Sequence, residues 1–171
     1  MAYLAFAVST IAGLLISSTF LGKRYSRGLT LGHEAGSVVG LLLLGVHAWA
    51  ILNDSFFTFT WQSLVVPGQS PYAPLPVGIG VVAAWLSAIV VGSFYVRRRI
   101  GPRTWRRLHY VTPVIFVAMT VHGVASGTDT LNPLVAAMYT VPSALVVVLV
   151  GLRIAVPKKE LRFLPPRPRK A

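Results

Sequence analysis

Cysteine is absent from all 171 positions. That rules out disulfides, thiolate-bound zinc, iron–sulfur clusters and haem attached through cysteine. The absence carries no information about redox compartment. Acid is scarce as well. Four Asp and Glu residues stand against sixteen Lys and Arg, for a formal charge of +12. Charged residues make up only 12% of the chain and hydrophobic ones 54%. A chain so poor in charge and so rich in long apolar runs reads as a membrane protein, not as a soluble core. A GxGxxG nucleotide fingerprint is missing too, and no segment of these residues is long enough for a flavin or nicotinamide domain.

What is present is a series of apolar stretches. About 20 residues of helix cross a hydrocarbon core of ~30 Å. Five stretches meet that length, at roughly Ala2–Gly22, Thr30–Leu52, Pro76–Val96, Thr104–Ala125 and Pro133–Val156. The first has no basic residue ahead of its apolar run and is followed by Lys23, Arg24 and Arg27. That charge pattern predicts a retained anchor with its N-terminus outside, not a cleaved signal.

The loops agree on one orientation. Neither Asn53–Leu75 nor Ser126–Asn132 holds a Lys or Arg, whereas Arg97, Arg98, Arg99, Arg103, Arg106 and Arg107 crowd the loop between spans three and four. Arg153 and the tail carry the rest, so all sixteen basic residues fall on one side, predicted to be the cytoplasm. Asp54 and Asp129 lie on the other. The sequence thus predicts an all-α integral membrane bundle of five transmembrane helices, N-terminus outside and C-terminus cytoplasmic. Residues 1–156 would form the membrane domain. Residues 157–171, "PKKELRFLPPRPRKA", would form a basic, Pro-rich cytoplasmic tail lying along the headgroups, with docking of a partner as the alternative. Membrane lipid accounts for the positive charge, with no need for nucleic acid. The expected location is a plasma membrane, bacterial, crossed several times. The outer loop carries Phe56, Phe57, Phe59, Trp61 and Tyr72, which read as an interfacial aromatic belt or, alternatively, a lid.

All four histidines fall in spans two and four: His33 and His47 fourteen residues apart, His109 and His122 thirteen. Both spans run from inside to outside. His33 and His109 therefore share a cytoplasmic level, and His47 and His122 an outer level about 20 Å away. Intramembrane ionisable side chains are functional candidates and normally face the bundle interior. A single buried histidine would more simply be a satisfied core residue. Four in two level pairs call for another account. Zinc wants more ligands, and Glu34, next to His33, points about 100° away round the helix. Haem iron needs only two axial protein ligands, and its flat apolar ring suits a helix bundle. Two b-type haems fit the count.

Gly36 and Gly40 lie within about 60° of the His33 direction; close helix packing through GxxxG steps is the alternative, but their place between two intramembrane histidines favours room for porphyrin, as cofactor-binding positions. Arg103, Arg106 and Arg107 precede His109 by one to two turns; Arg106 is the candidate partner for a haem propionate. Phe116 reads as core packing, with a place between the rings as the alternative. In an ideal helix His122 would stand ~140° out of phase with His109. Pro113 cannot donate to the His109 carbonyl and can kink the helix there.

With "GHEAGSVVGLLLLGVHAW" and "RTWRRLHYVTPVIFVAMTVHG", the chain resembles the ferric reductase-like transmembrane domain superfamily. That superfamily includes ferric reductases, NADPH oxidases and the haem-binding subunit of the periplasmic methionine sulfoxide reductase. The resemblance covers spans two to four. It implies two bis-histidine b haems, the inner held by His33 and His109 and the outer by His47 and His122, passing electrons singly across the membrane. Members commonly have six spans, against five here, and many carry a cytoplasmic FAD and NADPH module. The chain resembles the standalone members, which use a redox partner protein or a quinol. The implied role is an electron-transfer component of an oxidoreductase. The rival expectations are a haem-free membrane transporter and a structural or assembly subunit of a larger complex. A histidine-based transporter predicts acids or broken helices at midplane, and the spans hold no midplane acid.

Overall fold

A computed structural model describes residues 1–18 and 22–155. The basic tail, 157–171, lies outside the described residues. Among those described, the elements are helices: α1 Ala2–Ser18, α2 Gly22–Leu52, α3 Trp61–Val65, α4 Pro74–Tyr95, α5 Arg97–Ile100, α6 Pro102–His109, α7 Thr112–Ser126 and α8 Pro133–Ala155. Four helical segments are long and apolar enough to cross a membrane: Tyr25–Leu52, Pro74–Tyr95, Pro102–Ser126 and Pro133–Ala155. The protein is a multi-pass helical membrane protein. The described part of α1 is shorter, 17 residues or about 25 Å.

Breaks in the chain follow local chemistry. Gly101 takes φ +81° between α5 and α6, a conformation that suits glycine, and Pro102 opens α6 with its ring already set for helix. Asn132 caps α8, its side-chain oxygen accepting from the Leu134 amide at 2.9 Å. By contrast α2 begins at Gly22, eight residues before the predicted Thr30. No proline intervenes in that stretch, and polar headgroups do not interrupt a helix whose hydrogen bonds are internal.

The first span, whose charge pattern predicts a retained anchor, is the centre of the bundle. Tyr3, Phe6, Ala7, Ser9, Ala12 and Leu14 are buried on it. Tyr3, Ala7 and Leu14 join Phe116 of α7 and Val146 of α8 in one apolar core. The Tyr3 hydroxyl sits among the Tyr139 carbonyl, Ser143 and Thr120 hydroxyls at 3.3–3.4 Å. At the other end Arg153 donates to the Ser17 hydroxyl at 2.9 Å. Tyr3 and Ser17 thus meet α8 in ascending order, so α1 and α8 run parallel. Against α2, Gly40 approaches Phe6 and Gly36 approaches Ser9, so that pair is antiparallel.

The outward faces are apolar. On α2, Leu31, Val38, Leu42, Val46 and Trp49 are exposed, a continuous apolar surface suited to lipid. This contrast gives a first expected result. Phe116 is 3% exposed and Leu42 67%. Phe116→Ala should lower the thermal midpoint in detergent, since emptying a core phenylalanine site costs about 3–5 kcal/mol. Leu42→Ala should stay within about 0.5 kcal/mol of the parent. Equal midpoints for both variants would contradict this inside–outside assignment.

The loop between α2 and α4 folds over one end of the bundle. Asp54 accepts from the Phe56 and Phe57 amides at 2.8 and 3.0 Å, turning the chain after α2. Thr60 and Ser63 form a capping box that starts α3. Tyr72 donates to the Ser126 carbonyl at 3.1 Å, pinning the loop to the end of α7. Phe56, Phe57 and Trp61 remain exposed, as an interfacial belt requires.

Candidate functional site

The site is built from two unlike helical segments. α2 is unbroken from His33 to His47, so it fixes the separation of two levels at about 20 Å. The opposing segment is broken. α6 ends at His109, Tyr110 and Val111 form a turn with ψ −9° and −16°, and α7 starts at Thr112. The Val111 amide reaches back three residues, to Leu108 at 3.1 Å, and the Thr112 hydroxyl donates to the His109 carbonyl at 2.9 Å. That hydroxyl supplies a bond Pro113 cannot make. A three-residue bond turns the chain more per residue than the α-helix does. The turn adds about 20° per residue to the rotation and so takes up part of the phase error of the ideal helix.

Both histidines of this segment therefore meet those of α2. The rings of His33 and His109 have centroids 5.7 Å apart and are nearly perpendicular, at 78°. Those of His47 and His122 lie 6.4 Å apart at 71°. An imidazole nitrogen binds a first-row metal ion at about 2 Å, so two imidazoles on opposite sides of one ion have ring centres about 6 Å apart. Both pairs match that separation. Among the described residues α2 packs along α1 and touches α4, but it is not packed against α7. His47 and His122 face one another across the space between α2 and α7, and α1 packs against both helices. His47 is itself exposed, in the apolar second half of α2. No group of three or more His, Asp or Glu side chains comes together among the described residues, so the histidines meet only as pairs.

Two of the four rings are anchored. His33 Nδ1 donates to the Ser9 carbonyl at 2.8 Å, with the Ser9 hydroxyl at 3.1 Å. His122 Nδ1 donates to the Pro76 carbonyl at 3.0 Å, with the Ser126 hydroxyl at 3.4 Å. A carbonyl only accepts, so each Nδ1 carries the proton and Nε2 keeps its lone pair. That is the arrangement in which an imidazole ligates metal with its other nitrogen held by the protein. His109 is held differently: the Trp105 indole stacks on it at 5.3 Å and 30°. Trp105 Nε1 is a buried donor with no acceptor among the described residues. A donor of that kind beside the inner pair suits an anionic group.

The remaining sequence candidates are placed as follows. Arg106 is exposed in the last turn of α6, three residues before His109. Gly36 and Gly40 face α1: a Cβ at Gly36 would stand 3.0 Å from the Ala5 carbonyl oxygen, and one at Gly40 2.9 Å from the Phe6 ring. This is the close packing that GxxxG steps allow, and it puts the clearance these glycines provide at the α1 contact. Phe116 packs against Tyr3 in the core, their rings tilted with centroids 5.8 Å apart. Ser9, Gly13, Trp105, Pro76 and Gly80 escaped the sequence reading as ring supports. Only Trp105 had a signal, its place one turn before His109.

The chain matches no family model, and comparison with curated proteins and with solved structures gave no match.

Proposed function

We propose that the chain is a dihaem b-type cytochrome of a plasma membrane. The observation that carries this reading is the pair of histidine couples, each at axial-ligation separation between α2 and the α6–α7 segment. His33 and His109 would hold one haem, His47 and His122 the other. Bound haem supplies one-electron redox chemistry. The chain's own residues would provide the ligands and fix the tautomers of His33 and His122. Trp105 Nε1 and the arginines of α6, Arg106 among them, are the donors for anionic propionates at the inner level.

The topology in this reading has five crossings. α1 counts as one because it runs beside α8 from Tyr3 to Ser17. The side holding Lys23, Arg24, Arg27, the arginines of α5 and α6, and Arg153 is cytoplasmic by the positive-inside rule. In this reading the electron donor is a redox partner protein or a quinol.

Purified protein expressed with ample haem should show a low-spin Soret band and two haems per chain. A protein with no Soret band under those conditions would overturn the reading in favour of a haem-free transporter or assembly subunit.

A further inference from the structure

The two anchored histidines sit in the same kind of socket, built twice on different helices. Ser9 of α1 offers its carbonyl to His33, and Gly13 lies four residues on. Pro76 of α4 offers its carbonyl to His122, and Gly80 lies four residues on. Helix geometry explains the spacing. The carbonyl of residue i points toward the amide of residue i+4. An outside donor that reaches that oxygen must lie beside residue i+4, where a Cβ would project. At Gly80 an added Cβ would stand 2.5 Å from His122 Nδ1, closer than real Cβ contacts come. At Gly13 it would stand 3.1 Å from the His33 ring, tight but within reach of a small shift.

We infer that Gly13 and Gly80 are positioning residues that, each with the carbonyl four residues before it, lock one histidine of each pair as the Nδ1–H tautomer with Nε2 available for ligation. The inference deepens the dihaem reading and rests on it for the identity of the ligand. The tautomer itself is independent of that reading. His47 and His109 make no such bond among the described residues, so each pair joins one locked ring to one free of this anchor.

The test uses the full chain in detergent with 15N-labelled histidine. Without added haem, His33 and His122 should give the ring-nitrogen shifts of the Nδ1–H form. Gly80→Ala should abolish that signature for His122 and lower bound haem from two to one, the inner haem keeping its spectrum. Gly13→Ala should keep two haems and shift the midpoint potential of the inner one. Ser9→Ala should keep two haems and the His33 tautomer, because the carbonyl remains. Gly92→Ala, on the same helix as Gly80 with nothing within 4 Å of its Cβ, should match the parent and controls for folding. The inference is overturned if Gly80→Ala keeps the His122 tautomer and both haems, or if Gly92→Ala is as damaging. Parent protein that binds no haem yet shows the Nδ1–H tautomers would sink the dihaem reading and leave the socket standing.

Discussion

His47→Ala and His122→Ala should each reduce bound haem from two per chain to one, and the surviving haem should have the same spectrum and potential in both. His33→Ala and His109→Ala should form the complementary pair, each retaining the other haem. The grouping follows from ring separations of 6.4 Å for His47 with His122 and 5.7 Å for His33 with His109. It is a stronger test than loss alone, because four independent variants must sort into two classes. A haem with one axial protein ligand removed loses its six-coordinate low-spin character, so absorbance and electron paramagnetic resonance both report the class. Variants that sorted by helix, His33 with His47, would refute the pairing. Four variants that all kept two haems would refute ligation by these residues.

Gly36→Val should destabilise both the α1–α2 contact and the inner histidine level. A Cβ there meets the Ala5 carbonyl oxygen at 3.0 Å and Ser9 Cβ at 3.1 Å. The first is backbone inside a helix and cannot swing aside, so α1 and α2 must separate. Overpacking of this kind costs about 1–3 kcal/mol, and transmembrane helices are held largely by such close packing. The damage also propagates. Separation draws the Ser9 carbonyl away from His33 Nδ1, now 2.8 Å distant. The expected result is a lower thermal midpoint together with weakened haem at the His33 level, while the His47 level is spared. Gly28→Val, where an added Cβ meets nothing within 4 Å, is the matched control. Equal behaviour of the two variants would show that α1 does not need this approach.

Much of the site was legible in the sequence because its determinants are periodic. Fourteen residues along an unbroken helix set both the separation and the common face of His33 and His47. The thirteen-residue spacing looked discordant, and Pro113 was visible beside His109 as a missing donor. The turn at Tyr110–Val111 and the Thr112 bond to the His109 carbonyl complete what Pro113 starts. Gly36 and Gly40 were legible only as small residues on a known face. Their position on α2 did not say whether a ring or a helix would meet them, and α1 does.

By itself the sequence determined the apolar helices, the one-sided placement of positive charge and the two histidine levels. Each is set by composition or by the fixed rise and rotation of a helix. Only the tertiary structure decided that α1 is the central helix, that the glycine face of α2 packs on it, and that Ser9 and Pro76 carbonyls hold two of the four rings. The physical reason lies in the bilayer. Lipid is as apolar as the helix faces, so hydrophobicity alone does not choose which face turns inward. Shape and hydrogen bonding choose it. Both depend on which residue of a neighbouring helix comes opposite, as Gly80 does for His122.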